Sequence, residues 1–138
     1  MKTPLKGVFN GAFDTVDNIK ISPFSRAYTF SDSVYEVVPF FNSTPIAFDD
    51  HIKRLEFSAS QLAMVVDLKE VIFEINSLIT SSKFSNGYVY YQVTRGVDPL
   101  RSHIHEPNLK IETFGYAKAH LFQWKPLRVS VCDDIRWG

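Results

Sequence analysis

One stretch of this sequence combines residue types suited to holding an anion. In Arg101-Ser102-His103, an arginine able to grip a carboxylate through two parallel hydrogen bonds lies two residues from a histidine that can add another donor. Arg54 comes one position before Leu55 in a stretch of helical periodicity, at the edge of its apolar face. Spacing alone predicts for it a stem laid over apolar surface and a head kept in water. Tyr35, in a β-branched and aromatic run, reads as a strand tyrosine whose ring packs while its hydroxyl reaches the rim. His103 and His105 form an H-x-H, but a metal centre needs a third or fourth ligand that no spacing supplies, so no metal is expected. His51 and His120 read as residues that cap, hydrogen-bond or face solvent. The one cysteine, Cys132, has Asp133 and Asp134 beside it; they oppose a thiolate, and it reads as a small buried strand residue.

Alternation and turn chemistry predict the elements that must carry these side chains. Val34 to Phe41 is a strand with one proline, and Asn42 to Pro45 is turn chemistry. Asp49 or Asp50 then starts a helix that runs to about Ala63, with Asp49 able to cap it and Ile52, Leu55, Ala59 and Leu62 on its apolar face. In a second helix Leu68, Val71, Ile72, Ile75, Leu78 and Ile79 keep the i, i+3, i+4, i+7 pattern, and Asp67 with Glu70 forms a capping box. Asn10-Gly11 between apolar residues predicts an edge hairpin, and Ile19 with Ile21 a short strand before Pro23. Asn86-Gly87 turns into a strand from Tyr88 to Thr94, in which Val89, Tyr91 and Val93 share a face. Gly96 to Pro107 is a long loop, and Leu109 to Tyr116 is another strand. The expected fold is α+β: residues 1–122 form a mostly antiparallel sheet packed by two helices. Residues 123–138 follow as a linker, Trp124 to Pro126, and the first strand of a second domain, Leu127 to Val131.

Fifteen basic and fifteen acidic residues cancel, so nothing points to nucleic acid or an anionic membrane, and any cationic site must be local. An apolar fraction of 45% predicts a packed core rather than disorder. No continuous apolar run follows Met1, so neither a signal peptide nor a membrane span is expected, and a lone cysteine suits the reducing cytoplasm.

An aromatic-rich turn, Asp32, then Val34-Tyr35-Glu36-Val37, and sixteen residues after Tyr35 the helix start His51-Ile52-Lys53-Arg54-Leu55 resemble the class IV pyridoxal-phosphate aminotransferases. Among these the D-amino-acid aminotransferases are most similar. The resemblance continues through Tyr90-Tyr91-Gln92-Val93-Thr94-Arg95-Gly96 and ends in Asp133-Asp134-Ile135-Arg136-Trp137-Gly138, covering nearly the whole chain. It implies the N-terminal domain of that fold, pyridoxal 5'-phosphate as cofactor, amino acids and 2-oxo acids as substrates, and a homodimer. By the same resemblance Arg54 binds the cofactor phosphate, Tyr35 lines the substrate pocket, and Arg101 with His103 forms a carboxylate trap reaching the neighbouring subunit's site.

In the family the lysine that holds the cofactor follows shortly after the D-I-R-W segment. None of Lys2, Lys6, Lys20, Lys53, Lys69, Lys83, Lys110, Lys118 or Lys125 occupies that position, so the chain alone is expected to hold no catalytic residue and not to transaminate. Aminodeoxychorismate lyase and the branched-chain aminotransferases share the scaffold and stay open as readings, as does a non-catalytic truncated domain; the R-S-H loop argues for the aminotransferase over the lyase. Where the family has glycines on both sides of the turn aspartate, this chain has Ser31 and Ser33. A left-handed backbone there would cost a serine about 1 kcal/mol relative to glycine.

Overall fold

Two tight turns set the edges of the sheet. Asn10 and Gly11 take positive φ, 48° and 81°, the mirror-type turn whose twist matches that of paired strands. They join β1 (Lys6–Phe9) to β2 (Ala12–Thr15). Asn42 and Ser43, at 47° and 59°, do the same between β3 (Ser33–Phe41) and the short β4 (Thr44–Pro45). With β5 (Gly87–Thr94) and β6 (Glu112–Ala119) in the middle, the six strands run in the order β2-β1-β6-β5-β3-β4, each pairing antiparallel. This computed structural model describes residues 4–123 and 125–133.

One face of the sheet is covered by helices. α2 (Phe48–Gln61) buries Ile52, Leu55 and Ala59 against β3, and α3 (Leu68–Thr80) buries Val71, Ile75, Leu78 and Ile79 over β1, β5 and β6. Fully burying a side chain of this size stabilises by about 1.5–3 kcal/mol, so these residues hold the layers together. Cross-strand rows Glu36–Tyr91–Gly115–Val8 and Val38–Val89–Ala117 face the helices. A Cβ on Gly115 would lie 2.8 Å from the Tyr91 ring, so glycine there lets that ring lie flat on the sheet. The opposite face has no helix over it among the described residues. Tyr35, Tyr90 and Tyr116 stack across three strands on that face, successive ring centroids 5.5 Å apart. Among the described residues no helix is long and apolar enough to cross a membrane.

The expected α+β class is the one observed, with local departures. A five-residue helix, α1 (Arg26–Phe30), precedes β3 where only a loop is expected. Ile19 to Ile21 forms no strand: β2 is the sheet edge, and no segment among the described residues lies alongside to pair with it. β6 runs three residues beyond the predicted Tyr116 because Ala117 continues the row opposite Val89. Ala47, not Asp49, caps α2; both Asp49 and Asp50 lie inside its first turn, where they favour the positive helix end. Asp67 caps α3, accepting from the Lys69 and Glu70 amides, but among the described residues no bond from the Glu70 side chain back to the Asp67 amide completes the expected capping box. Ile72 is exposed and Glu74 is buried in the apolar stripe. Leu127 to Val131 makes no ladder, and Leu127, Val129 and Val131 are exposed at 82%, 78% and 97%. Alternation becomes a strand only when a neighbour supplies hydrogen bonds and covers one face. Cys132 is likewise exposed rather than buried. Trp124 of the predicted linker and Asp134 to Gly138 lie outside the described residues.

Candidate functional site

Among the described residues β4 pairs with Phe40 and Phe41 alone, and nothing else pairs with β3 on that side, so β3 presents a free edge along Ser33 to Val38. Successive residues there point to opposite faces: Tyr35 stacks on Tyr90 on the uncovered side, and Glu36 turns under α2 and is buried. Beside this edge lies an open cleft of 280 Å³ lined by Tyr35, Glu36, Val37, Arg54 and Ser58. Arg54 grips Glu36 with two parallel hydrogen bonds, Nε to Oε1 and Nη2 to Oε2, both 2.6 Å. His51, one helical turn earlier, donates Nδ1–H to Oε2 at 2.7 Å. Burial works against the charge on Glu36, but the hydrogen bonds from Arg54 and His51 outweigh it and hold the carboxyl below its ordinary value. The Glu36 hydrogen bond in turn raises the Arg54 guanidinium further. Arg54 is thus a cation fixed in orientation, with its side chain 65% exposed. Among the described residues its Nη1 donates to no protein group, which leaves an open fork for an anion in the cleft.

Arg101 and His103 do not line that cleft. They meet instead on Phe30, the last residue of α1: the Arg101 guanidinium carbon lies 4.9 Å from the ring centroid and the His103 ring 5.3 Å away. Behind them runs a buried ionic chain. Asp32 Oδ2 accepts from Arg26 Nε at 2.9 Å and Arg95 Nε at 2.6 Å, and Arg95 Nη2 donates to the Leu62 carbonyl at the end of α2. Burial opposes ionisation of Asp32, but Arg95 and Arg26 prevail and lower its pKa. The structure therefore brings Tyr35 and Arg54 into one cleft, sets Arg101 and His103 near the same Phe30 ring, and links the two groups through the Asp32 turn. Hollows of 510 and 530 Å³ at the other end of the sheet hold none of these residues.

The model of the amino-transferase class IV family matches residues 33–137. The chain belongs to the class IV aminotransferases. It is 30% identical over 139 residues to the D-alanine aminotransferase of Bacillus licheniformis, a match covering 96% of this chain and 49% of that protein. This class IV chain thus spans about half the length of the curated relatives it matches. The branched-chain amino acid aminotransferase from Escherichia coli superposes with a TM-score of 0.77 at 18% identity, over 86% of this chain and 42% of that one. The 4-amino-4-deoxychorismate lyase of Pseudomonas aeruginosa gives 0.70 at 19%, over 82% and 39%. At these identities the two structures establish the fold.

Sequence reading misses several side chains of this aminotransferase domain. Glu36 carried a signal: it alternates with Val34, Val38 and Phe40, and an acid on a buried strand face calls for charged or hydrogen-bonding partners. His51 and Arg54, three apart on α2, are its partners. Arg26, Phe30 and Asp98 carried none, because what they touch lies far along the chain.

Proposed function

We propose that this chain supplies the cofactor-phosphate and substrate-carboxylate contacts of a pyridoxal 5'-phosphate-dependent transamination between amino acids and 2-oxo acids, of the D-amino-acid aminotransferase kind. The reading is carried by the cleft in which Tyr35 meets an arginine braced by Glu36 and His51. Pyridoxal phosphate, when bound, supplies the electron sink that amino-group transfer needs. Arg54 binds its phosphate through the open Nη1 side, and Glu36 keeps the guanidinium from rotating. The Tyr35 hydroxyl helps to bind the substrate carboxylate. Arg101 and His103 trap a carboxylate at the neighbouring subunit's site in a homodimer. On this reading residues 123–138 are a linker and the start of a cofactor-binding domain, and the lysine that would hold the cofactor is not among the residues of this chain. The protein works in the cytoplasm.

The test assays the gene product carrying these residues with three substrate pairs: D-alanine and 2-oxoglutarate, L-leucine and 2-oxoglutarate, and 4-amino-4-deoxychorismate alone. D-alanine turnover is expected, with Arg54→Ala releasing cofactor on dialysis and Arg101→Ala raising KM for D-alanine about tenfold or more. Preferred turnover of 4-amino-4-deoxychorismate would assign the lyase reading instead, and preferred L-leucine turnover the branched-chain one. Absence of all three activities together with no retained cofactor would leave a non-catalytic domain.

A further inference from the structure

We propose that Arg26 is a positioning residue, which anchors the loop of residues 97–106 so that Arg101 and His103 stand together on Phe30. The inference rests on the reading that this pair takes a carboxylate.

The loop has little else to hold it. Leu100 and Ile104 are 64% and 86% exposed, so beyond half-buried Val97 at its base no large apolar side chain among the described residues fixes the loop to the sheet. A loop with few buried apolar contacts opens at small free-energy cost. Here its polar contacts converge on one buried pair, Arg26 and Asp98, exposed at 4% and 3%. Arg26 Nη1 donates to the Ser102 carbonyl at 2.8 Å, between Arg101 and His103 in the chain, and to Asp98 Oδ2 at 3.3 Å. Asp98 accepts from the amides of Leu100 at 3.2 Å and Glu106 at 3.4 Å, one on each side of the Arg-Ser-His segment. The Arg26 amide donates to Gly96 O at 2.8 Å, and the Asp98 amide to Phe24 O at 3.1 Å, closing the loop's base. Four residues after Arg26, on the same turn of α1, Phe30 provides the ring on which Arg26, Arg101 and His103 all rest.

The two arginines divide the work. Arg26 spends its charge on Asp32 and Asp98, whereas no carboxylate among the described residues lies within 4.0 Å of Arg101, which keeps its charge for a ligand. Three acceptors in three directions, Asp32, Asp98 and Ser102 O, suit a rigid planar fork; a lysine ammonium reaches fewer of them at once.

The test is NMR of the uniformly isotope-labelled gene product carrying these residues, comparing wild type with Arg26→Lys and Asp98→Asn. Pyruvate is the carboxylate probe, and Arg101→Ala is the control for the trap. In both variants the β5 and β6 amides are expected to keep their wild-type shifts, while amides of residues 100–106 exchange about tenfold faster or more. The Arg101 Nε–H and His103 ring signals are expected to lose their shared ring-current shift, and their response to pyruvate to weaken about tenfold. Unchanged loop exchange and unchanged Arg101 and His103 signals in Arg26→Lys would overturn the inference. Asp98→Asn, which keeps the shape of the side chain, decides the matter if Arg26→Lys fails to fold. Should pyruvate leave the wild-type Arg101 and His103 signals unmoved, the carboxylate reading fails, and the anchoring role is still decided by the exchange data.

Discussion

Glu36 and Glu74 are both buried on the helix-covered side of the sheet, at 4% and 0% exposure, and are held in opposite ways. Glu36 faces two nitrogen bases, Arg54 and His51, which overcome its burial and keep it ionised. Glu74 faces only neutral donors: the Tyr91 hydroxyl, the Gly11 amide and the Thr113 hydroxyl. At Glu74 burial outweighs those donors, Glu70 adds like charge, and the carboxyl is pushed above its ordinary value. Burial and the neighbouring carboxylate push the Tyr91 hydroxyl up as well. One acid therefore serves as a fixed negative charge that aims an exposed guanidinium; the other joins the first hairpin, α3 and the central strands. The Asp32 turn belongs with Glu36, since its carboxylate also neutralises arginines beside the candidate site.

The largest effect is expected at the ionic end. Asp32→Ala leaves Arg95 without its carboxylate and Arg26 with one of two, and removing one partner of a buried pair costs about 3–5 kcal/mol. Urea denaturation checks this; a midpoint like that of wild type would mean that both guanidinium groups regain water, and that the ionic end is no more buried than a surface.

Next come the two glutamates themselves. Glu74→Ala removes the acceptor of three donors and is expected to cost roughly 2–3 kcal/mol, whereas Glu74→Gln keeps an acceptor and costs about 1 kcal/mol or less at neutral pH. Glu36→Gln is expected to lose roughly 1–2 kcal/mol there, because its bonds are charge-assisted. Stability against pH separates the two. Glu36, with its folded value depressed, contributes stability above the ordinary carboxylate value of 4.5 and loses it as pH falls through the folded value, so the Glu36→Gln penalty fades in acid. Glu74, with its folded value raised, contributes below 4.5 and loses that contribution as pH rises through the folded value, so Glu74→Gln gains on wild type toward alkaline pH. Thermal melts across that range should show opposite slopes; parallel slopes would erase the distinction.

The smallest effect concerns the turn that presents Asp32. Ser31 takes φ 54° and ψ 28°, as a left-handed cap of α1, while Ser33 is already in β3. Ser31→Gly is expected to raise stability by up to about 1 kcal/mol, and Ser33→Gly to lower it by a similar amount. Melting temperatures that move in the same direction for both would place the strain elsewhere.

The legible parts of the fold are those whose cause is local. Asn10-Gly11 specifies its turn, Asp67 caps the start of α3, and Val89, Tyr91 and Val93 alternate into a core strand because each signal needs only near neighbours. α1 is illegible: one turn of Arg26 to Phe30 carries no apolar period, and its buried arginine is held by residues as far away as Asp98 and Ser102. Leu127 to Val131 shows the converse, an alternation without a neighbouring strand and therefore without a ladder.

By itself the sequence determined the α+β class, the long helices and the central strands, since composition, period and turn chemistry act over a few residues. Only the tertiary structure decided which charges meet. Whether Glu36 braces Arg54, whether Arg26 reaches Ser102, and which tyrosines stack on the uncovered face depend on sheet register and on the angle of α2 over β3. Those are set by packing the whole core at once, because an ion pair spanning 72 positions, such as Arg26 with Asp98, has no local cause.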